Sequence, residues 1–284
     1  MAALAISPTL MPGPAPYAPS FAPQTVTQDL ETLGAVLSPS QVRCLMDCSA
    51  RWYYKYALGI EEPKNGNLAL GIAVHHAIAY HFSAKIDNRG VEPPAGDALS
   101  QFGHAWKAVS LETEFRDDEN PAELEAQGLK LTEKYLREAA PSIQPAAVEV
   151  EVSGVIAGVR VQGRLDVIET NGTVRDVKTS SRKSDSVSNE QRFQLATYVP
   201  FAAGATGEVV IDQLVKTVKP QLIHLTHTIT AGDIAATEQM YPLAQAFMRG
   251  QLYMPNRTSN LCSRRNCCYW RKCQGDFGGT VSAS

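Results

Sequence analysis

The sequence predicts a mixed α/β domain with a helical N-terminal part. Apolar residues recur at helical spacing as far as about residue 138, and from about residue 146 the period changes to two. A helix, two more strands and a long helix then follow, the succession expected of a sheet flanked by helices.

Residues 1–37 are rich in proline and small side chains, so a flexible arm is expected there. Ser38-Pro39-Ser40-Gln41 has the form of a helix start: a serine cap, proline at the first helical position and a glutamine three residues after the cap. That helix is expected to run to Gly59, with a loop at 61–67. LALGIAVHHAIAYHFSAKI is apolar around most of its circumference and predicts a buried helix. Two further helices are expected near 97–114 and 120–138, the second closed by Ala139-Ala140-Pro141. AVEVEVSGVIAGVRVQGRLDVIE alternates apolar and polar residues, broken by Gly154, Gly158 and Gly163. Asn171-Gly172 marks a hairpin turn into the strand TVRDVKT. A helix over 189–203, strands GEVVIDQLVKTV and LIHLTHTIT about Lys219-Pro220, and a helix ended by Gly250 complete the folded part. A single domain over 38–276 and a flexible tail at 277–284 are expected.

Length and composition narrow the function classes. A chain of 284 residues with 44% hydrophobic content can bury a sizeable core. Its net charge of −3 excludes a uniformly basic nucleic-acid coat, so nucleic-acid binding must come from local patches. No run approaches the ~18–20 apolar residues that span a bilayer. The N-terminus lacks a basic leader segment, and a cytoplasmic location is the expectation.

The run GRLDVIETNGTVRDVKT carries the clearest chemistry. Residues two apart on a strand share a face, so Asp176 and Lys178 project together and Val177 packs on the other side. The hairpin can bring Asp166 beside them. Two carboxylates hold a hard divalent cation, and a lysine beside them steers a water or a phosphate oxygen. Asp-x-Lys alone is commonly a solvated pair worth little; its placement after the hairpin distinguishes it here. Gln194 and Tyr198 lie four apart, on one face of the next helix. His75 and His76 are adjacent in the buried helix, about 100° apart, so only one of them can face a given site.

The cysteines are unevenly placed. Cys262, Cys267 and Cys273 offer three thiolates, with Cys268 beside the second, and a fourth ligand must come from Cys44 or Cys48. Four thiolates suit an iron–sulfur cluster or zinc. Such a clasp ties the start of the folded part to its end. Arg43, Arg51, Trp52 and Lys55 flank the first pair, and Arg264, Arg265, Trp270, Arg271 and Lys272 interleave the second group. Aromatics among cations are a common grip on single-stranded nucleic acid.

Together these residues resemble the PD-(D/E)XK nuclease superfamily, in its RecB-like branch with a cysteine-bound iron–sulfur cluster. SPSQVRCLMDCSARWYYKY, GIAVHH, GRLD, DVK, QLATY and the closing cysteines arrive in the family's order. The resemblance implies a restriction-endonuclease-like core, a mixed central sheet flanked by helices, with a C-terminal cysteine clasp. It implies Asp166, Asp176 and the Val177 carbonyl as ligands of Mg²⁺ or Mn²⁺, with His75 completing the shell. Lys178 becomes the catalytic lysine, with Gln194 and Tyr198 positioning it or the strand. By the same register Cys48, Cys262, Cys267 and Cys273 hold the cluster, a [4Fe–4S] centre with zinc as the alternative. The implied activity is a DNA exonuclease of recombination, repair or phage-type replication, working on single strands or duplex ends, beside a helicase or recombinase. Two rivals remain: a catalytically vestigial nucleic-acid-binding or assembly factor, and an RNA endonuclease on the same core.

Overall fold

A computed structural model describes residues 30–283. Residues 1–29 of the expected arm lie outside the described residues, but its last eight are ordered. Leu30–Ala35 form a short helix, α1, and Val36–Leu37 a short strand, β1. β1 pairs in parallel with a distant strand through Val36↔Arg160 and Leu37↔Val161. The composition of the arm pointed to disorder; partners more than a hundred residues away hold this end of it.

Ser38 caps α2 (Pro39–Asp47) with the reciprocal Ser38–Gln41 hydrogen bonds expected from the sequence. The single helix expected to reach Gly59 is broken at Cys48, whose backbone is extended (φ −153°, ψ 102°). α3 (Ser49–Trp52) and a π-helical turn (Tyr53–Ala57) follow. The break turns the chain so that Ala50 N–H meets the Met254 carbonyl at 3.2 Å. α4 (Gly66–Asp87), α5 (Ala95–Ser110) and α6 (Pro121–Glu138) form a three-helix layer. Its core contains Leu70, Val74, Ile78, Phe82, Phe102 and Tyr135, and it closes on Val167, Val177 and Leu214 of the sheet.

β2 (Pro145–Ile156) and β3 (Val159–Glu169) make a long antiparallel hairpin. Its turn carries positive φ at Ala157 and Gly158 (47° and 83°), the geometry that glycine tolerates best. β4 (Val174–Ser180) pairs with β3 only at Val167↔Arg175 and Ile168↔Val174. Beyond that point the two strands fork. After α7 (Asn189–Tyr198), β5 (Glu208–Val215) runs parallel to β4, and β6 (Gln221–Thr228) pairs antiparallel with β5. The result is one mixed six-stranded sheet. The expected helix over 189–203 stops at Tyr198, and Val199–Phe201 tightens to a 3₁₀ turn around Pro200.

Gly154 and Gly163 do not interrupt their strands. They are landing sites for rings. A Cβ at Gly154 would lie 2.2 Å from the Phe201 ring, and one at Gly163 would lie 2.0 Å from the Tyr198 ring. Glycine there lets α7 and its following turn lie flat on the hairpin. α8 (Ala231–Arg249) and α9 (Trp270–Phe277) pack against α2, the π turn and the far end of the hairpin, in a core of Trp52, Tyr53, Tyr54, Tyr241 and Tyr253. Most of the expected C-terminal tail is tied down: Val281 is buried and Ser282 bridges to Ser263. No described helix is long and apolar enough to cross a membrane.

Candidate active site

The fork between β3 and β4 builds the site. Where ladder pairing stops, the Val177 amide donates to Asp166 Oδ2 at 2.8 Å. A side-chain carboxylate thus replaces the missing strand partner and is fixed beside Asp176. Val177 itself is buried against the helical layer, and Asp176 and Lys178 project together, as their spacing predicts. Lys178 Nζ donates to Asp176 Oδ1 at 2.8 Å, and Gln194 Nε2 donates to the same oxygen at 3.4 Å. From α4, His75 Nδ1 lies 3.4 Å from Asp166 Oδ2. Gly71 of α4 faces the strand beside the site; a Cβ there would make an ordinary contact with Thr179 Oγ1 at 3.4 Å. Tyr198 lies on the Gly163 backbone, its hydroxyl close enough to Asp176 to feel its charge.

Burial and mutual charge set the protonation states. Burial pushes the Asp176 carboxyl up; Lys178 opposes this and Asp166 reinforces it, and the net shift is upward. Burial acts the same way on Asp166, but the hydrogen bond and charge of His75, then Lys178 and the Val177 amide, outweigh it and hold Asp166 low. Burial disfavours charge on Lys178, yet the Asp176 and Asp166 carboxylates more than offset that, so the ammonium stays charged. His75 behaves alike: burial lowers its pKa, and the Asp166 hydrogen bond reverses the sign. Burial, with the Asp176 charge, pushes the Tyr198 phenol up to about 12.

Does this arrangement fit a divalent cation? Among the described residues, no three His, Cys, Asp or Glu side chains already converge on one point. The donor chemistry nevertheless fits. Asp176 Oδ2 is buried with no hydrogen-bond partner, an expensive state for a carboxylate oxygen. Its neighbour is a second carboxylate, and a hard cation between them satisfies the orphan and relieves the like-charge contact. A cleft of about 730 Å³ opens over Asp166, walled by Asn67, His75, His76, Glu149 and Arg164.

Glu149 is a site residue that the strand pattern concealed. It adopts φ 51°, a left-handed conformation uncommon for glutamate, and pairs with Arg164 at 2.6 Å on the cleft wall. In VEVEV it reads as one more solvent-facing position. Glu190 was also missed: its charge helps keep Lys178 protonated. Only the packing of α7 reveals that proximity.

The second centre lies at the clasp. Cys48, Cys262, Cys267 and Cys273 all line one small cavity of about 20 Å³, whereas Cys44 and Cys268 do not line it. All six cysteines are free. Burial pushes the Cys273 thiol up to about 11; Arg257 opposes this, and Cys48, Cys267 and Cys262 add to it. The extended Cys48 backbone turns that residue inwards, where the Asn256 amide meets its sulfur at 3.5 Å. Around the cavity, Tyr54 donates to Asp276 Oδ2 at 2.8 Å and Tyr269 donates to the Ile60 carbonyl at 2.9 Å.

Comparison with known proteins decides the family. Residues 36–274 match the family described as the PD-(D/E)XK nuclease superfamily. The chain belongs to that superfamily. Among solved structures, one from Eubacterium rectale named "Putative exonuclease" is similar to this chain, with a TM-score of 0.55 and 14% identity. The similarity covers 90% of this chain and 94% of that one, and it shows a shared fold. A second solved structure, SSO0001, overlays at a TM-score of 0.37 and 11% identity over 84% of this chain and 95% of its own, too loosely to carry an argument. No curated protein matches the sequence. In this PD-(D/E)XK chain, Asp166, Asp176 and Lys178 sit where the mixed sheet forks.

Proposed function

We propose that the protein is a divalent-cation-dependent nuclease that degrades DNA from an end. One observation carries this reading: Asp166, Asp176 and Lys178 meet at the strand fork, with one buried oxygen of Asp176 lacking a partner. Asp166, Asp176 and the Val177 carbonyl are the groups that would hold Mg²⁺ or Mn²⁺, and His75 borders them. When bound, the cation polarises the scissile phosphate and makes a bound water more acidic. Lys178 sits beside the two carboxylates, its ammonium donating to Asp176 Oδ1 at 2.8 Å. It orients the attacking water by donating to it, and it offsets negative charge growing on the phosphoryl oxygens. Gln194 positions Asp176 by its hydrogen bond, and Tyr198 packs on Gly163 close by. The exonuclease name of the Eubacterium rectale structure supports attack at ends.

For the clasp we propose an iron–sulfur cluster held by Cys48, Cys262, Cys267 and Cys273. The all-thiol donor set supports it. The clasp stabilises the fold by joining α3 to the chain end. A role in recombination or repair beside a helicase or recombinase fits the chemistry.

Linear and circular single- and double-stranded DNA, each incubated with Mg²⁺ or Mn²⁺, tests the activity. Loss of linear DNA with circles spared is expected. Cleavage of circles makes the enzyme an endonuclease, cleavage of RNA alone makes it a ribonuclease, and binding without cleavage makes it a vestigial binding factor.

A further inference from the structure

A second groove lies apart from the cleft over Asp166. It has a volume of about 640 Å³ and runs between α2 with the π turn on one side and α7 on the other. Arg43, Arg51 and Lys55 supply three cations along it, and Tyr56 and Phe193 supply two aromatic rings. Phe193 is braced from behind by stacking on Tyr241, with ring centroids 5.8 Å apart. Lys55 Nζ lies over the Tyr56 ring, 5.6 Å from its centroid. At one end Arg51 also borders the cysteine cavity. At the other, α7 carries Glu190, whose charge reaches Lys178, and Gln194, which touches Asp176. The groove therefore lies between elements that carry the two centres.

We propose that this groove binds single-stranded nucleic acid, with phosphates on Arg43, Arg51 and Lys55 and bases against Tyr56 and Phe193. That the bound strand is then delivered to Asp176 and Lys178 for cutting rests on the nuclease reading above; the binding itself does not. Cations interleaved with rings are the chemistry of single-strand grooves. A duplex, whose bases are stacked inward, offers no free base faces to the two rings. The groove volume falls in the range of ordinary ligand pockets, not of a duplex channel.

Each cation is already partnered. Arg43 pairs with Glu190 across the groove, and Arg51 and Lys55 both pair with Glu62, the latter at 2.6 Å. Asp47, the other acid on the wall, is engaged by the Ser259 hydroxyl at 2.9 Å. The Arg43 and Glu190 side chains are 49% and 54% exposed, and an ion pair that exposed is weak. An entering phosphate takes the place of Glu190 on Arg43, so the pair is a latch that the strand opens.

The test is fluorescence anisotropy with a labelled oligothymidylate, without divalent cation, across a salt series. Arg43→Gln and Lys55→Gln are each expected to flatten the slope of log Kd against log salt by about 0.7, the counterion term of one single-strand phosphate contact. Tyr56→Ala is expected to weaken binding about 5- to 150-fold, the range for one lost stacking partner. Glu190→Gln, which releases the latch, is expected to tighten binding. Unchanged affinity and slope in Arg43→Gln and Lys55→Gln overturn the proposal, and so does a duplex that binds as tightly as the single strand. Arg43→Gln and Glu190→Gln alter half-exposed side chains and keep the test valid if Tyr56→Ala unfolds. Wild type that binds as described but cleaves nothing with Mg²⁺ or Mn²⁺ refutes the nuclease reading and leaves the groove standing. Cleavage by wild type with indifferent groove variants refutes the groove alone.

Discussion

Gly163→Ala should damage the site from beneath, without touching a charged group. The added Cβ would lie 2.0 Å from Tyr198 Cζ and 2.1 Å from its hydroxyl oxygen. To restore an ordinary 3.4 Å contact, the ring must retreat by about 1.4 Å. It has nowhere to go, because Tyr198 is 7% exposed and packs in a core of Leu165, Leu195 and Ile211. Overpacking of this kind costs about 1–3 kcal/mol. For a chain of this size that lowers Tm by roughly 2–12 °C. Displacing Tyr198 also disturbs the shell around Asp176, and an error of about 1 Å near reacting groups can cost about 100-fold in rate. Thermal melting and cleavage of end-labelled DNA should both fall. Tyr198→Phe leaves the clashing Cζ in place, so Gly163→Ala should remain as damaging in that background. In a Tyr198→Ala background the penalty should vanish, giving a coupling of about 1–3 kcal/mol in a double-mutant cycle. Strict additivity, or a Gly163→Ala protein that melts like wild type, would refute the reasoning.

Three further outcomes follow from the same geometry. Arg175→Met removes the cation that bonds both oxygens of Asp212 at 2.9 and 3.0 Å; because Asp212 is fully buried, urea denaturation should register a loss of about 3–5 kcal/mol, though Tyr135 and His224 still contact it. Cys48→Ala should cost brown colour, iron, sulfide and thermal stability in anaerobically purified protein, whereas Cys44→Ala, outside the shared cavity, should keep all four; a colourless wild type with bound zinc would reassign the clasp. The Asp176 pKa is raised in the folded protein, so the carboxylate is lost to protonation at higher pH than an ordinary one; the acid limb of cleavage should sit above the usual aspartate value of about 3.9 and move down by up to about one unit for each tenfold rise in Mg²⁺. An acid limb insensitive to Mg²⁺ would contradict this.

Local pattern carried much of this structure and failed at definable places. The Ser38–Gln41 cap, the apolar α4 and the Asn171-Gly172 hairpin were legible because each is written in neighbouring residues. The approach of Asp166 to Asp176 was legible for the same reason, since one turn connects their strands. Val36 and Leu37 were not, because among the described residues their strand partners are the distant Arg160 and Val161. Gly154 and Gly163 looked like strand breaks because nothing nearby announces that Phe201 and Tyr198 come to rest on them. The left-handed backbone of Glu149 leaves no trace in an alternating VEVEV run. The break at Cys48 was hidden because Leu45-Met46 before it and Ala50-Arg51 after it are good helix formers, while the contact that turns the chain is to Met254.

The central claim concerns three side chains at a strand fork, and cleavage by their variants tests it most directly. Wild type, Asp176→Ala and Lys178→Ala should be compared on end-labelled DNA with Mg²⁺ or Mn²⁺, with circular dichroism confirming that each variant is folded. Wild type should release nucleotides and both variants should release essentially none. Cleavage by both folded variants at the wild-type rate would place the chemistry elsewhere in the molecule.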